Sequence, residues 1–373
     1  MVLGVGILST ANIARKNARA IALSEHCRLT AVASRTLSKA QDFVADTGIE
    51  GVKAYGSYDE LLADVDVQAV YIPLPTAMHL EWIRKSALAG KHILIEKPVS
   101  ITMEEMDEMV EVCKEQDVVL LDGLMFQHHE RHSLLLAELN DTFTGPVHSI
   151  QSSFSFNGDK TFLESNIRVK AGGDPLGALG DLGWYQVRLA LLAFSAKKGA
   201  EQAVQLPTRV WGNCSLFSEE GVPLDTHCTM EYACTDGRPP RLARFDSSFR
   251  SAFRQSFEIV CLGERGCSDK VFRCEDFVIP RSSVGASFSV ESIPSGFPGV
   301  DHATRIVTST DLVEVRGCRQ EVRMFDTLAR LCDGKRVYRA EEQEWLGYTV
   351  ATQKVCSALL SSIRANGAPV TLT

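Results

Sequence analysis

The sequence predicts an α/β protein in two parts: a doubly wound parallel sheet, then an α+β region rich in antiparallel strands. Three observations carry the prediction. Residues 3–123 alternate apolar runs with helix-patterned segments, the order that makes a parallel sheet. From about Phe126 the texture changes to strands that alternate polar and apolar positions between turn residues. At 373 residues the chain exceeds one ordinary core and suits two domains, which we place at residues 1–124 and 125–373.

In the first part five strands are expected, at residues 3–8, 29–34, 67–74, 92–96 and 118–123, joined by helices at 13–23, 37–46, 76–89 and 102–116. Gly90 stops the third helix, and Thr102, followed by Glu104 and Glu105, caps the fourth. In the second part, residues 147–156, 229–233, 257–262 and 270–279 read as antiparallel strands, and residues 180–196 as one long helix. A final helix runs from about 342 to 364 and stops at Asn366-Gly367.

Hydrophobic residues make up 45% of the chain and charged residues 23%, ordinary for a globular protein. No apolar run approaches the roughly 20 residues of a membrane helix. A net charge of −8 without a basic stripe argues against nucleic acid and leaves a small molecule as the partner. The start of the chain reads as a strand rather than a leader, and eleven cysteines without a C-x-x-C pair indicate neither a zinc site nor a disulfide framework, so a cytoplasmic setting is expected.

Gly4 and Gly6 lie inside the first strand and are not a phosphate turn. The turn is Ser9-Thr10-Ala11-Asn12-Ile13-Ala14, where small residues hold the three positions that usually read G-x-G-x-x-G, ahead of a helix N-terminus suited to pyrophosphate. At the end of the second strand, where NAD enzymes carry an acid for the ribose diol, Ser34-Arg35-Thr36 offers a hydroxyl and a guanidinium. Those groups, with Lys39 close behind, suit the 2′-phosphate of NADP.

The apolar run from His92 ends abruptly in Glu96-Lys97-Pro98, which delivers a lysine to the carboxyl end of a parallel strand, where open α/β sheets place their chemistry. Pro98 forces a sharp turn, compatible with a cis peptide. Residues 172–185 pack five glycines into a helix entry, a density that costs helix stability and points to a close approach. Asp181 and Tyr185 are spaced i, i+4 on one helical face, with Arg188 beside them. A tyrosine serves as acid/base when a cation lowers its pKa from about 10, and Lys97 is the candidate cation. Taken singly, Asp181 also reads as a helix N-terminal acid and Tyr185 as a half-buried aromatic.

These motifs, joined by Pro73-Leu74-Pro75-Thr76-Ala77-Met78-His79, Asn166-Ile167-Arg168-Val169-Lys170 and residues 177–185, together resemble the Gfo/Idh/MocA oxidoreductase family. The similarity is narrowest to its branch of NADP-dependent D-xylose dehydrogenases, dimeric dihydrodiol dehydrogenases and related plant proteins. The resemblance implies an N-terminal Rossmann domain and a C-terminal domain with a large open, mainly antiparallel sheet that often forms a homodimer surface. It implies that the final helix returns toward the nucleotide domain. Carried over residue by residue, Lys97, Tyr185 and Asp181 are catalytic. Ser9, Thr10, Ala11, Asn12, Ile13, Ser34, Arg35, Thr36, Lys39, Pro73, Leu74, Pro75, His79, Glu96 and Lys97 face the cofactor, and Phe126, Phe154, Arg168 and Tyr185 the substrate. The implied activity is hydride transfer between NADP(H) and a CH–OH group of a sugar or polyhydroxylated cyclic alcohol. The alternatives are a non-catalytic NADP(H)-binding regulatory protein, against which the intact Lys97 and Tyr185 argue, and a tightly held cofactor recycled between two sugars.

Two departures stand out. Ser9 replaces the usual first glycine of the turn, and His129-Glu130-Arg131 replaces an Asn-Pro-Arg common in the family. His128, His129 and His132 carry metal-ligand chemistry but not the zincin order, so no metal is expected; pocket polarity or a surface turn explains them.

Overall fold

The computed structural model describes residues 2–196, 204–234, 237–263, 267–280, 285–293, 309–317, 319–333 and 339–372. It divides into two compact units. The first comprises Met1–His128, Gly172–Asp174 and Arg319–Gln353, and the second His129–Ala171, Pro175–Cys318 and Lys354–Thr373.

The first unit holds β1 (Leu3–Leu8), α1 (Asn12–Leu23), β2 (Cys27–Ala33), α2 (Leu37–Thr47), β3 (Lys53–Tyr55), α3 (Tyr58–Leu62), β4 (Ala69–Ile72), α4 (His79–Leu88), β5 (His92–Ile95), α5 (Met103–Glu115) and β6 (Leu120–Asp122). The strands form one parallel sheet in the order β3-β2-β1-β4-β5-β6. The order reverses between β1 and β4, so the loops after Leu8 and Ile72 leave the sheet side by side at the switch point where such folds bind ligands. Five expected strands are present, and β3 is a sixth that sequence pattern did not reveal: three half-exposed residues at the sheet edge carry no apolar run. The helix expected over residues 76–89 begins as a 3₁₀ turn, Thr76–Met78, before α4. Thr102 caps α5 as expected, its hydroxyl accepting the Glu105 N–H at 3.2 Å.

Both faces of this sheet are covered, which is why its central strands read as continuous apolar runs. Val5, Ile7, Val32, Tyr71 and Leu94 are fully buried with Phe43 of α2 and Phe325 and Leu328 of a helix from late in the chain, α9 (Gln320–Leu331). Gly4 and Gly6 serve this packing. A Cβ on Gly4 would lie 2.2 Å from the Asp66 carbonyl oxygen, and one on Gly6 2.7 Å from Leu61.

The second unit contains α6 (Glu130–Asn140), β7 (Val147–Asn157), α7 (Lys160–Ser165), α8 (Trp184–Ser195), β8 (Arg209–Phe217), β9 (Pro223–Tyr232), β10 (Arg241–Ser248), β11 (Arg250–Cys261), β12 (Asp269–Cys274), β13 (Gly285–Ile293), β14 (Ser309–Arg316) and β15 (Val370–Thr371). Its nine-stranded sheet runs β14-β13-β12-β11-β7-β10-β9-β8-β15, antiparallel except where β10 lies parallel to β7. Residues 150, 152 and 154 of β7 and 255, 257, 259 and 261 of β11 are buried on one face, and the alternate residues between them, 151, 153, 256, 258 and 260, are more accessible. The expected helix over residues 180–196 opens instead with a π-turn, Leu179–Gly183, before α8. The stretch 270–279 is a strand only to Cys274. The last helix, α10 (Arg339–Arg364), starts earlier than expected, and the division between units falls within it, after Gln353.

Candidate active site

In the first unit, the turn after β1 places Ser9 at φ 152°, a conformation that is essentially glycine's and costs other residues about 1–3 kcal/mol. The Ser9 hydroxyl accepts the Ala11 N–H at 3.0 Å, so the departure from glycine is held by its own side chain. Ala11 gives α1 no side-chain cap, and neither α1 nor α2 has an acid in its first turn. Two helix N-termini therefore present backbone donors and positive dipole ends that suit the phosphates of a dinucleotide. At the end of β2, Ser34 is buried, with its hydroxyl 3.4 Å from that of Thr10, while Arg35, Thr36 and Lys39 are exposed around the start of α2. An exposed arginine and lysine at an uncapped helix start fit a phosphate monoester.

Between β4 and α4, Pro73 and Leu74 are buried and His79 is 1% exposed. His79, expected to face the cofactor, turns both ring nitrogens to carbonyls, Nε2 2.9 Å from Leu74 O and Nδ1 3.0 Å from Val99 O. Burial holds its pKa below the usual histidine value, despite those carbonyls, so the neutral ring donates its single N–H to one of the two. The Lys97–Pro98 peptide is cis. Glu96 accepts the hydroxyl proton of Tyr71, and Tyr71 in turn accepts from Asn17 Nδ2 at 2.5 Å. Tyr71 and Asn17 escaped sequence reasoning. Their only signals were one hydroxyl in an apolar strand and one amide on the buried side of α1. Phe126 is buried in a 3₁₀ turn, Met125–His128.

In the second unit, Asp181 lies in the π-turn that leads into α8, four residues ahead of Tyr185. Its carboxylate Oδ1 accepts from Arg168 Nε at 3.0 Å. Tyr185 is buried, its ring edge-on to Phe154 at 5.6 Å between centroids. The neighbouring Gln186 is satisfied at both ends. Its Nε2 donates to Ser152 Oγ at 3.3 Å and the Asp246 carbonyl at 3.1 Å, and its Oε1 accepts from Ser247 Oγ at 2.7 Å. Gly183 lets the π-turn lie this close, since a Cβ there would sit 3.1 Å from Ser247 Oγ and 3.0 Å from Leu179. The glycine-rich entry is thus a close approach to β10, as its composition implied.

The histidine run disperses. His128 belongs to the first unit, stacked on Trp345 at 4.6 Å with Nδ1 3.2 Å from Thr327 Oγ1. His129 caps α6 in the second, accepting the Arg131 N–H at 3.0 Å. His132 is buried, and burial, with Arg131, Arg188 and His129 nearby, pushes its pKa down to about 3. Arg131 itself pairs with Asp276 at 2.6 Å.

A doubly wound sheet with a phosphate-ready switch point and a lysine at a strand end suits a dinucleotide-dependent oxidoreductase. Residues 2–124 match the Gfo/Idh/MocA family model, an oxidoreductase family with an NAD-binding Rossmann fold. The chain is 32% identical over 255 residues to D-xylose 1-dehydrogenase (NADP(+)) 2 of Haloferax volcanii, covering 68% of this chain and 72% of the relative. It is 34% identical over 240 residues to a dTDP-3,4-didehydro-2,6-dideoxy-alpha-D-glucose 3-reductase of Actinomadura kijaniata, covering 62% and 70%. A crystal structure of a 3-ketoreductase from Actinomadura kijaniata with NADP and TDP-benzene has the same fold, with a TM-score of 0.75 at 22% identity over 97% of this chain and 98% of that one. The chain belongs to the Gfo/Idh/MocA oxidoreductase family.

His132 yields a pH prediction. Its pKa falls from 6.5 to about 3 on folding, so below pH 6.5 the unfolded chain takes up a proton that the native protein excludes, and stability declines as pH falls. In urea unfolding between about pH 6 and pH 4, His132→Gln is expected to flatten that decline by about 1.4 kcal/mol per pH unit. An unchanged slope contradicts the assignment.

Proposed function

We propose that the protein transfers hydride between NADP(H) and a CH–OH group of a sugar or another polyhydroxylated cyclic alcohol, as an aldose or dihydrodiol dehydrogenase does. The observation that carries this reading is Lys97 at the carboxyl end of β5, two strands from the phosphate turn, in a family whose named relatives act on sugars. Residues 9–13 would hold the pyrophosphate, Ser34, Arg35, Thr36 and Lys39 the 2′-phosphate, and Pro73, Leu74, Pro75 and Glu96 the nicotinamide side, while His79, buried with both ring nitrogens on carbonyls, supports that loop from behind rather than touching the cofactor. When bound, NADP(H) supplies or accepts the hydride.

The chain's own residues handle the proton. The Tyr185 hydroxyl exchanges it with the substrate oxygen, and the Lys97 ammonium favours the phenolate and orients the reacting hydroxyl. Asp181 is held by Arg168, and the pair suits hydrogen bonding to further substrate hydroxyls. Phe154, packed on Tyr185, supplies an apolar wall beside the reacting hydroxyl, and the family resemblance gives Phe126 a substrate-facing role as well.

The accessible face of the nine-stranded sheet suits a homodimer contact. Its exposed positions alternate along long strands, and Arg273 pairs across it with Glu258 at 2.7 Å and with Glu291. Cysteine usage supports a cytoplasmic setting. No helix among the described residues is long and apolar enough to cross a membrane.

Two measurements follow. In fluorescence titrations, Arg35→Ala is expected to weaken NADPH binding about tenfold or more while leaving NADH binding unchanged; equal losses contradict the 2′-phosphate role. With D-xylose and NADP⁺, Tyr185→Phe is expected to lower kcat by about 10²–10³ at unchanged NADPH affinity. Undiminished turnover removes Tyr185 from the chemistry.

A further inference from the structure

We propose that Tyr71 and His79 are positioning residues for Lys97, clamping the turn that carries it from both sides. The inference rests on the reading of Lys97 as a catalytic residue. The residue before the lysine is held by its side chain, because Glu96 accepts the Tyr71 hydroxyl and Tyr71 accepts Asn17 Nδ2 at 2.5 Å. Behind that carboxylate stands Gly123, whose N–H donates to the Ile95 carbonyl at 2.7 Å and whose added Cβ would touch Glu96 Cδ at 3.4 Å. Two residues after the lysine, the Val99 carbonyl faces His79 Nδ1 at 3.0 Å, while the other ring nitrogen meets Leu74 O at 2.9 Å. The turn continues under restraint, with Ser100 N–H donating to Gln353 Oε1 at 3.3 Å and Ile101 N–H to Glu105 Oε2 at 2.8 Å.

Both clamps reach beyond the turn. Asn17 lies on the helix that follows the phosphate turn, and Leu74 in the loop at the switch point. Two of the elements expected to hold the nucleotide are therefore bonded, through buried side chains, to neighbours of Lys97. A lysine has a long flexible stem, so its ammonium is placed only as well as its backbone is fixed. A displacement of about 1 Å at a reacting group lowers rates by up to about 10². Tyr71 fits this role better than a packing role, because its ring, edge-on to Phe325 at 5.8 Å, would fill the same space as phenylalanine, while the hydroxyl alone makes the link.

The test uses Tyr71→Phe and His79→Gln, each alone and combined with Lys97→Met, with D-xylose and NADP⁺ as probes. Each single variant is expected to lower kcat about tenfold with NADPH affinity changed less than about twofold, and to lower it no further once Lys97 is methionine. The same fractional loss in the Lys97→Met background, or no loss in either, overturns the proposal. Independently of turnover, lysines are ¹³C-dimethylated and the Lys97 resonance is assigned by its absence in Lys97→Arg. Tyr71→Phe and His79→Gln are expected to shift its pH titration, and an unmoved titration overturns the proposal. If Lys97→Met turns over like the parent, the catalytic reading of Lys97 fails; the resonance then decides the positioning claim alone, a shift sustaining it and no shift overturning it.

Discussion

The hydroxyl of Tyr71, buried at the end of β4, is the contact on which the mouth of the parallel sheet depends. It joins the helix behind the phosphate turn to the carboxylate beside Lys97, and it does so where water is scarce. A buried or half-buried polar group left unpaired costs about 1–3 kcal/mol, and the bonds among Asn17, Tyr71 and Glu96 support one another. His79 imposes the same constraint on the opposite side of the turn, with two carbonyls competing for one proton.

Much of the first unit was legible because parallel strands buried on both faces write continuous apolar runs, and Thr102 and Gly90 mark helix ends by local chemistry. What escaped was short or conditional on tertiary packing. β3 offers three residues at an edge. α9 buries Met324, Phe325 and Leu328 against the same core as α1, although the chain reaches it some three hundred residues later. The Asn17–Tyr71–Glu96 link spans three elements, and no spacing within one segment encodes it. The phosphate turn was recognisable from small residues alone, yet that Ser9 takes a glycine conformation and answers with its own hydroxyl is visible only in the backbone.

In the second unit, sequence pattern found the glycine density but not the kind of turn it builds. The expected helix start at residue 180 is a π-turn over Leu179–Gly183, in which Asp181 pairs with Arg168, and Tyr185 packs on Phe154 in the helix beyond it. Such a turn forfeits helix regularity and persists where packing fixes it; Gly183 close to Ser247 and the fully bonded Gln186 provide that fixation here. The histidine run shows the converse. Neighbours in sequence, His128, His129 and His132 are used as a stacking partner, a helix cap and a buried neutral ring.

The central claim, that this chain moves hydride rather than merely binding NADP(H), is tested most directly by single-turnover stopped flow. Enzyme and NADP⁺ are mixed with D-xylose, other aldoses and dihydrodiols, each also with deuterium at the reacting carbon, while nicotinamide absorbance is followed. The account predicts that reduced nicotinamide forms with at least one of these substrates and that deuterium slows its formation. Bound NADP⁺ that none of them reduces would contradict it and leave a regulatory nucleotide-binding protein in its place.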